Sequence, residues 1–87
     1  MHENIVKNKI SKLRDDWIYQ LFLTIRNIEI EAYLTKLEVI DNFLIATYDE
    51  EEDNNNMTIR IPIQDIESIN IKNNSRPFMP NIYIVTK

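Results

Sequence analysis

Isoleucine recurs on alternate positions in three separate stretches, Ile28-Ile30, Ile59-Ile61-Ile63 and Ile82-Ile84, in a chain that contains no glycine. Alternation of period two marks strands with one buried face. The missing glycine limits how such strands can be joined. Positions with a left-handed backbone fall to residues such as Asn and Asp, which tolerate it better than most. This pattern points to a fold class. It does not point to a reaction.

The length of 87 residues fits one domain, residues 1–87. A chain of this size buries about 60–65% of the surface it exposes when unfolded. That leaves room for one small core and none for a drug-sized internal pocket, so a ligand would bind a surface groove or a subunit boundary. With no cysteine there is no disulfide framework and no thiolate metal site. Charge interrupts every apolar stretch, and Met1-His2-Glu3-Asn4 does not open a secretory signal. The expectation is a cytoplasmic protein without membrane contact.

Val6, Ile10, Leu13 and Trp17 are spaced as one apolar stripe of an α-helix. They predict a helix over residues 3–15, with 1–16 as a helical segment and 17–87 as the β part. Strands are expected at 18–26, 28–40, 43–48, 57–63, 68–71 and 81–86. Asn27 and Asp41-Asn42 supply tight turns. The long second strand should bend near Leu34-Thr35, where Leu37 and Val39 take over the apolar alternation from Ile28, Ile30, Ala32 and Leu34. A single helical turn is expected at 64–67. Leu21, Leu23, Ile30, Leu34, Phe43, Ile45, Ile59, Ile61 and Ile66 are the expected core. A helix leading into a meander of short strands reads as an α+β, mainly β protein. The N-terminal helix would cover one end of a small closed barrel of five to six strands, because closure removes exposed edges.

The run Glu31-Ala32-Tyr33-Leu34, the turn Asp41-Asn42-Phe43-Leu44 and the segment 59–69 carry a family likeness. Residues 59–69 look like the closing part of Sm-like and SH3-like small barrels, in which a strand enters a one-turn helix and leaves as a short strand. The arrangement is similar to the YolD-like proteins of bacteria and phages, which place a helix before such a barrel. The resemblance covers residues 18–71 and rests on apolar positions. Glu31-Ala32 stands where these barrels usually carry a glycine, and the RNA-pocket motifs of true Sm proteins are absent. It implies the barrel fold and no particular activity. The high Asn and Ile content adds a hint of an AT-rich genome, such as that of a phage or other mobile element.

Nothing in the chain assembles a catalytic apparatus. His2 is the only histidine, and there is neither a cysteine nucleophile nor a glycine loop for phosphate. The expectation is a non-enzyme with no cofactor and no metal. The acidic run 49–53 lacks EF-hand spacing and reads as a solvated hairpin tip.

Two binding surfaces remain. Arg76-Pro77-Phe78-Met79-Pro80 is stiffened by its prolines and carries apolar side chains, which lowers the entropy lost on docking. With Tyr83, the residues Arg76, Phe78 and Met79 form the expected contact with a protein partner or with a second copy of the chain. The strand 81–86 is apolar on both faces, a hazard as a bare edge, so it is expected to pair either with the barrel or with a second copy of the chain, the latter giving a homo-oligomer. The alternative is nucleic acid held by Lys7, Lys9, Lys12 and Arg14 on the helix. The net charge of −4 argues against it.

Overall fold

The structure is a computed structural model in which residues 1–50, 55–76 and 78–87 are described. Most of the acidic run, Glu51 to Asp53, lies outside the described residues, as does Pro77, one of the two prolines expected to stiffen the loop. The elements follow in the order α1 (Glu3–Ile10), β1 (Tyr19–Ile25), β2 (Ile28–Ile40), β3 (Phe43–Glu50), β4 (Asn56–Pro62), a 3₁₀ turn (Ile63–Asp65), β5 (Ile66–Lys72) and β6 (Asn81–Thr86).

The helix is shorter than its apolar spacing predicts. His2 caps its start, the Nδ1 atom accepting from Asn4 N–H at 3.1 Å. At the other end Lys12 and Leu13 bond back three residues, to Lys9 and Ile10, which tightens the final turn and ends the helix without a glycine. Arg14 N–H then leaves the helical pattern for the Tyr19 hydroxyl, at 2.9 Å. Of the apolar stripe, Val6 is fully buried, while Ile10, Leu13 and Trp17 are partly buried against the core.

Two-residue turns join the first three strands. Arg26-Asn27 and Asp41-Asn42 both have positive φ, at 47° and 70° and at 50° and 65°. Two successive left-handed residues match the right-handed twist of the hairpins they close. Asn and Asp stand in for the absent glycine at three of these four positions. The bend in β2 falls where the alternation slips. The ladder with β3 shifts register between Leu34 and Lys36, and Thr35 Oγ1 donates to Thr47 O at 3.0 Å. The extra residue keeps both Leu34 and Leu37 on the core side.

The sheet has six strands in the order β4-β3-β2-β1-β6-β5. All ladders are antiparallel except β1 with β6, which is parallel. This corrects one expectation. The sheet is not a closed barrel, since β4 and β5 end it and each pairs on one side. Strand β6 takes the first of its two expected pairings, within the chain, and inserts between β1 and β5. Its two apolar faces therefore do not supply an edge for self-association. Among the described residues the fold is mainly β, with one short helix and one mixed sheet.

The core is Leu21, Leu23, Ala32, Leu34, Leu44, Ala46, Tyr48, Ile61, Ile63, Ile66, Ile69, Ile82 and Ile84, with Val6 and Tyr19. Phe43 and Ile45, expected inside, are half-buried on the opposite face. The Asp41-Asn42 turn decides this. It pairs Val39 with Leu44, so the inward Val39 carries Leu44 in with it. Ile30 and Ile59 are half-buried and pack against the core from its margin. We expect Leu44→Ala to destabilise the protein by about 2–5 kcal/mol, and Ile45→Ala by less than about 1 kcal/mol. Urea unfolding of the two variants checks the register, and the reverse order would refute it.

Candidate functional site

Asn74 bridges the described residues of the segment between β5 and β6. Asn74 Oδ1 accepts from Arg76 N–H at 2.7 Å, while its Nδ2 donates to Met79 O at 2.7 Å and to Asn81 Oδ1 at 2.8 Å. The far end continues the β1–β6 pairing. Ile18 N–H donates to Phe78 O at 3.1 Å and Gln20 N–H to Pro80 O at 3.0 Å. Phe78 is thus fixed by its own carbonyl and by its neighbours' bonds.

Its conformation is unusual. Phe78 has φ 63°, left-handed, with a bulky aromatic side chain. That region costs an L-residue about 1–2 kcal/mol. The ring is nevertheless 66% exposed. Its aromatic contact is an edge-on approach to Trp17, with centroids 5.9 Å apart. Arg76 is exposed and Met79 half-buried, with Arg76 Nη1 3.7 Å from Met79 Sδ.

Trp17 is a ridge between three grooves. The first, about 430 Å³, runs between Leu13, Tyr19, Leu34 and Leu37. The second, about 260 Å³, lies among Asn74, Arg76, Phe78 and Pro80. The third, about 520 Å³, is lined by Ile18, Tyr33 and Met79. Trp17 borders all three, and its Nε1 is buried without a hydrogen-bond partner among the described residues. The Arg14 guanidinium covers the ring at 5.0 Å. Arg14 also forms a two-pronged pair with Asp16, at 3.1 and 3.0 Å. The hydrogen bond from Arg14 holds the Asp16 carboxyl below its ordinary range, and the same bond raises Arg14. A lowered carboxyl value means that this pairing is present at neutral pH and is lost as pH falls through the Asp16 range.

Tyr83 belongs to a different surface. Inward Ile82 and Ile84 leave it on the outer face of β6. There its ring stacks on Phe22 at 4.9 Å with an interplanar angle of 13°, Lys72 Nζ sits 5.3 Å from its centroid, and Asn81 Nδ2 donates to its hydroxyl. Phe22, Tyr33 and exposed Ile18 were not among the expected contact residues. Parity marks them, because Tyr19, Leu21 and Leu23 point inward on β1 and Ala32 and Leu34 do so on β2.

The four basic residues do not gather into one open patch, and Lys12 and Arg14 lie beyond α1 and not on its face. Lys7 pairs with Glu3 at 3.3 Å, and Arg14 with Asp16. Lys9 Nζ donates to Ile69 O at 2.8 Å, which caps the outer edge of β5. Lys12 alone of the four has no ion pair or hydrogen bond from its side chain among the described residues. Comparison of the chain with protein-family models, with curated proteins and with solved structures gives no match.

Proposed function

We propose that the protein is a non-enzymatic binding module that recognises a protein partner through Phe78 and the segment that presents it. One observation carries this reading: a left-handed phenylalanine, exposed to solvent and held there by a fixed network of hydrogen bonds. Local strain of this kind persists where the surroundings over-determine it, and it clusters at contact sites. Aromatic and arginine side chains are the usual anchors of protein interfaces, and Arg76, Met79 and Trp17 adjoin Phe78. A presented ring that is already ordered loses little entropy on docking.

The fold on which this site sits is read as a variant of the small SH3-like and Sm-like barrels, akin to the YolD-like proteins. The β4–3₁₀–β5 succession and the bulged β2 support that reading, and β6 would be an added strand between β1 and β5. The nucleic-acid alternative through Lys7, Lys9, Lys12 and Arg14 draws less support, because Lys7 and Arg14 are paired with carboxylates and Lys9 is bonded to a backbone carbonyl.

The test is purification of the protein with its bound partner, comparing the parent chain with a variant carrying Phe78→Ser and Met79→Ser. The partner is expected to be lost while the thermal midpoint stays within a few degrees. Unfolding of the serine variant would make these residues core and end the proposal. If Lys7→Ala with Lys12→Ala removes the interaction instead, and nucleic acid is what purifies, the alternative replaces it. Lys9 is left unchanged because its bond to Ile69 is structural.

A further inference from the structure

The outward side of β2, β1 and β6 carries aromatic rings beside carboxylates. In the ladders Phe22 stands opposite Glu31 on β2 and beside Tyr83 on β6, Thr24 opposite Glu29, and Tyr33 opposite Asp49. Residues opposite one another share a face. The surface is therefore a strip of Tyr33, Phe22 and Tyr83 bordered on the β2–β3 side by Glu29, Glu31 and Asp49. Glu29 and Glu31 are exposed and enter no ion pair among the described residues.

We propose that this face docks an extended, arginine-bearing segment of a partner protein. Charge selects the occupant. Carboxylates without a counter-ion repel phosphate, and a second copy of a chain with net charge −4 brings like charge to them. Arginine fits better than lysine, since its planar guanidinium stacks on a ring and forks to a carboxylate at the same time. The chain builds that combination once for itself, with Arg14 over the Trp17 ring and bidentate to Asp16. Phe22 beside Glu31 offers the same pair to an incoming side chain. Glu29, Glu31 and Tyr33 occupy alternate positions of β2, about 6.8 Å apart, which is the spacing of alternate residues in an extended peptide. Arginines at every second position would meet them in turn. Tyr33 and Asp49 line a groove that Met79 and Trp17 also border, but Phe22, Tyr83, Glu29 and Glu31 lie outside it and outside the groove beside Phe78, so the proposal does not depend on that segment.

The probe is a short synthetic peptide of alternating arginine and threonine, with a glutamate-for-arginine peptide as control, titrated into the isotopically labelled full chain and followed by backbone amide shifts. The expected result is saturable binding of the arginine peptide alone. Shifts should centre on Phe22, Glu31 and Tyr83 and weaken with added salt. Glu29→Gln with Glu31→Gln should raise Kd about tenfold or more, because two charge-assisted contacts are lost. No saturable binding, shifts centred on α1 or on residues 74–79, or an unchanged Kd in the glutamine variant would each overturn the proposal. Phe78→Gly is expected to leave this titration unchanged, so failure of the Phe78 reading and failure of this one are read separately.

Discussion

Replacing Ile84 with alanine is expected to destabilise the protein by about 2–5 kcal/mol. Ile84 is fully buried and lies in β6 between Leu23 of β1 and Ile69 of β5, which are also buried. Removing its outer methyl and methylene groups loses their transfer free energy. It also opens a cavity in a layer tied by ladders on both sides, where collapse is restricted. A chain of 87 residues has a total stability of roughly 4–13 kcal/mol, so the loss is a large share of it. Urea unfolding should show a lower midpoint with unchanged slope. Val85→Ala, one residue along and facing outward, should cost less than about 1 kcal/mol. A loss below about 0.5 kcal/mol at Ile84 would mean that β6 is not an interior strand. The contrast therefore tests the insertion of β6 as well as its facing.

Some of this arrangement is legible in local chemistry. The bounds of β2 and β6, the left-handed Asn27, the Asp41-Asn42 turn and the break near Thr35 all follow from residue type and period. Facing fails where the period is ambiguous. The stretch Phe43-Leu44-Ile45-Ala46 is apolar at every position, so only the turn's register with Val39 selects Leu44 over its neighbours. The helix end is non-local too, since the Tyr19 hydroxyl draws Arg14 N–H away from the helical pattern.

Strand order is the least legible feature. An apolar strand such as β6 looks the same whether it closes a barrel, pairs with another molecule or inserts between two strands. The choice depends on contacts as far apart as Leu23 with Ile84. At the site, the composition of the 76–80 segment marks it as a contact candidate, but the exposure of Phe78 is a matter of its backbone angle. The Phe22–Tyr83 stack needs the parallel β1–β6 register before its two rings meet.

Changing Phe78 to glycine is expected to separate binding from stability. At φ 63° glycine carries no Cβ penalty, so the variant regains about 1–2 kcal/mol of backbone strain. Against this it adds about 0.5–1 kcal/mol of unfolded-state entropy. It also loses the edge contact with Trp17, worth about 0.5–1.5 kcal/mol for such a pair. These terms offset, and the unfolding free energy should stay within about 1 kcal/mol of the parent. Burial adds little to the balance because the ring is 66% exposed. Partner affinity should behave differently. Loss of an aromatic anchor removes about 2 kcal/mol or more at an interface, a rise in Kd of roughly thirtyfold or greater. Phe78→Leu, which keeps an apolar side chain and also the left-handed penalty, should fall between the two in affinity and gain no stability. The measurements are urea unfolding of the three proteins and titration of each against the purified partner. If the glycine variant binds as the parent does, Phe78 is not the anchor. If it loses several kcal/mol of stability with its affinity, the ring supports the fold and its exposure carries no function.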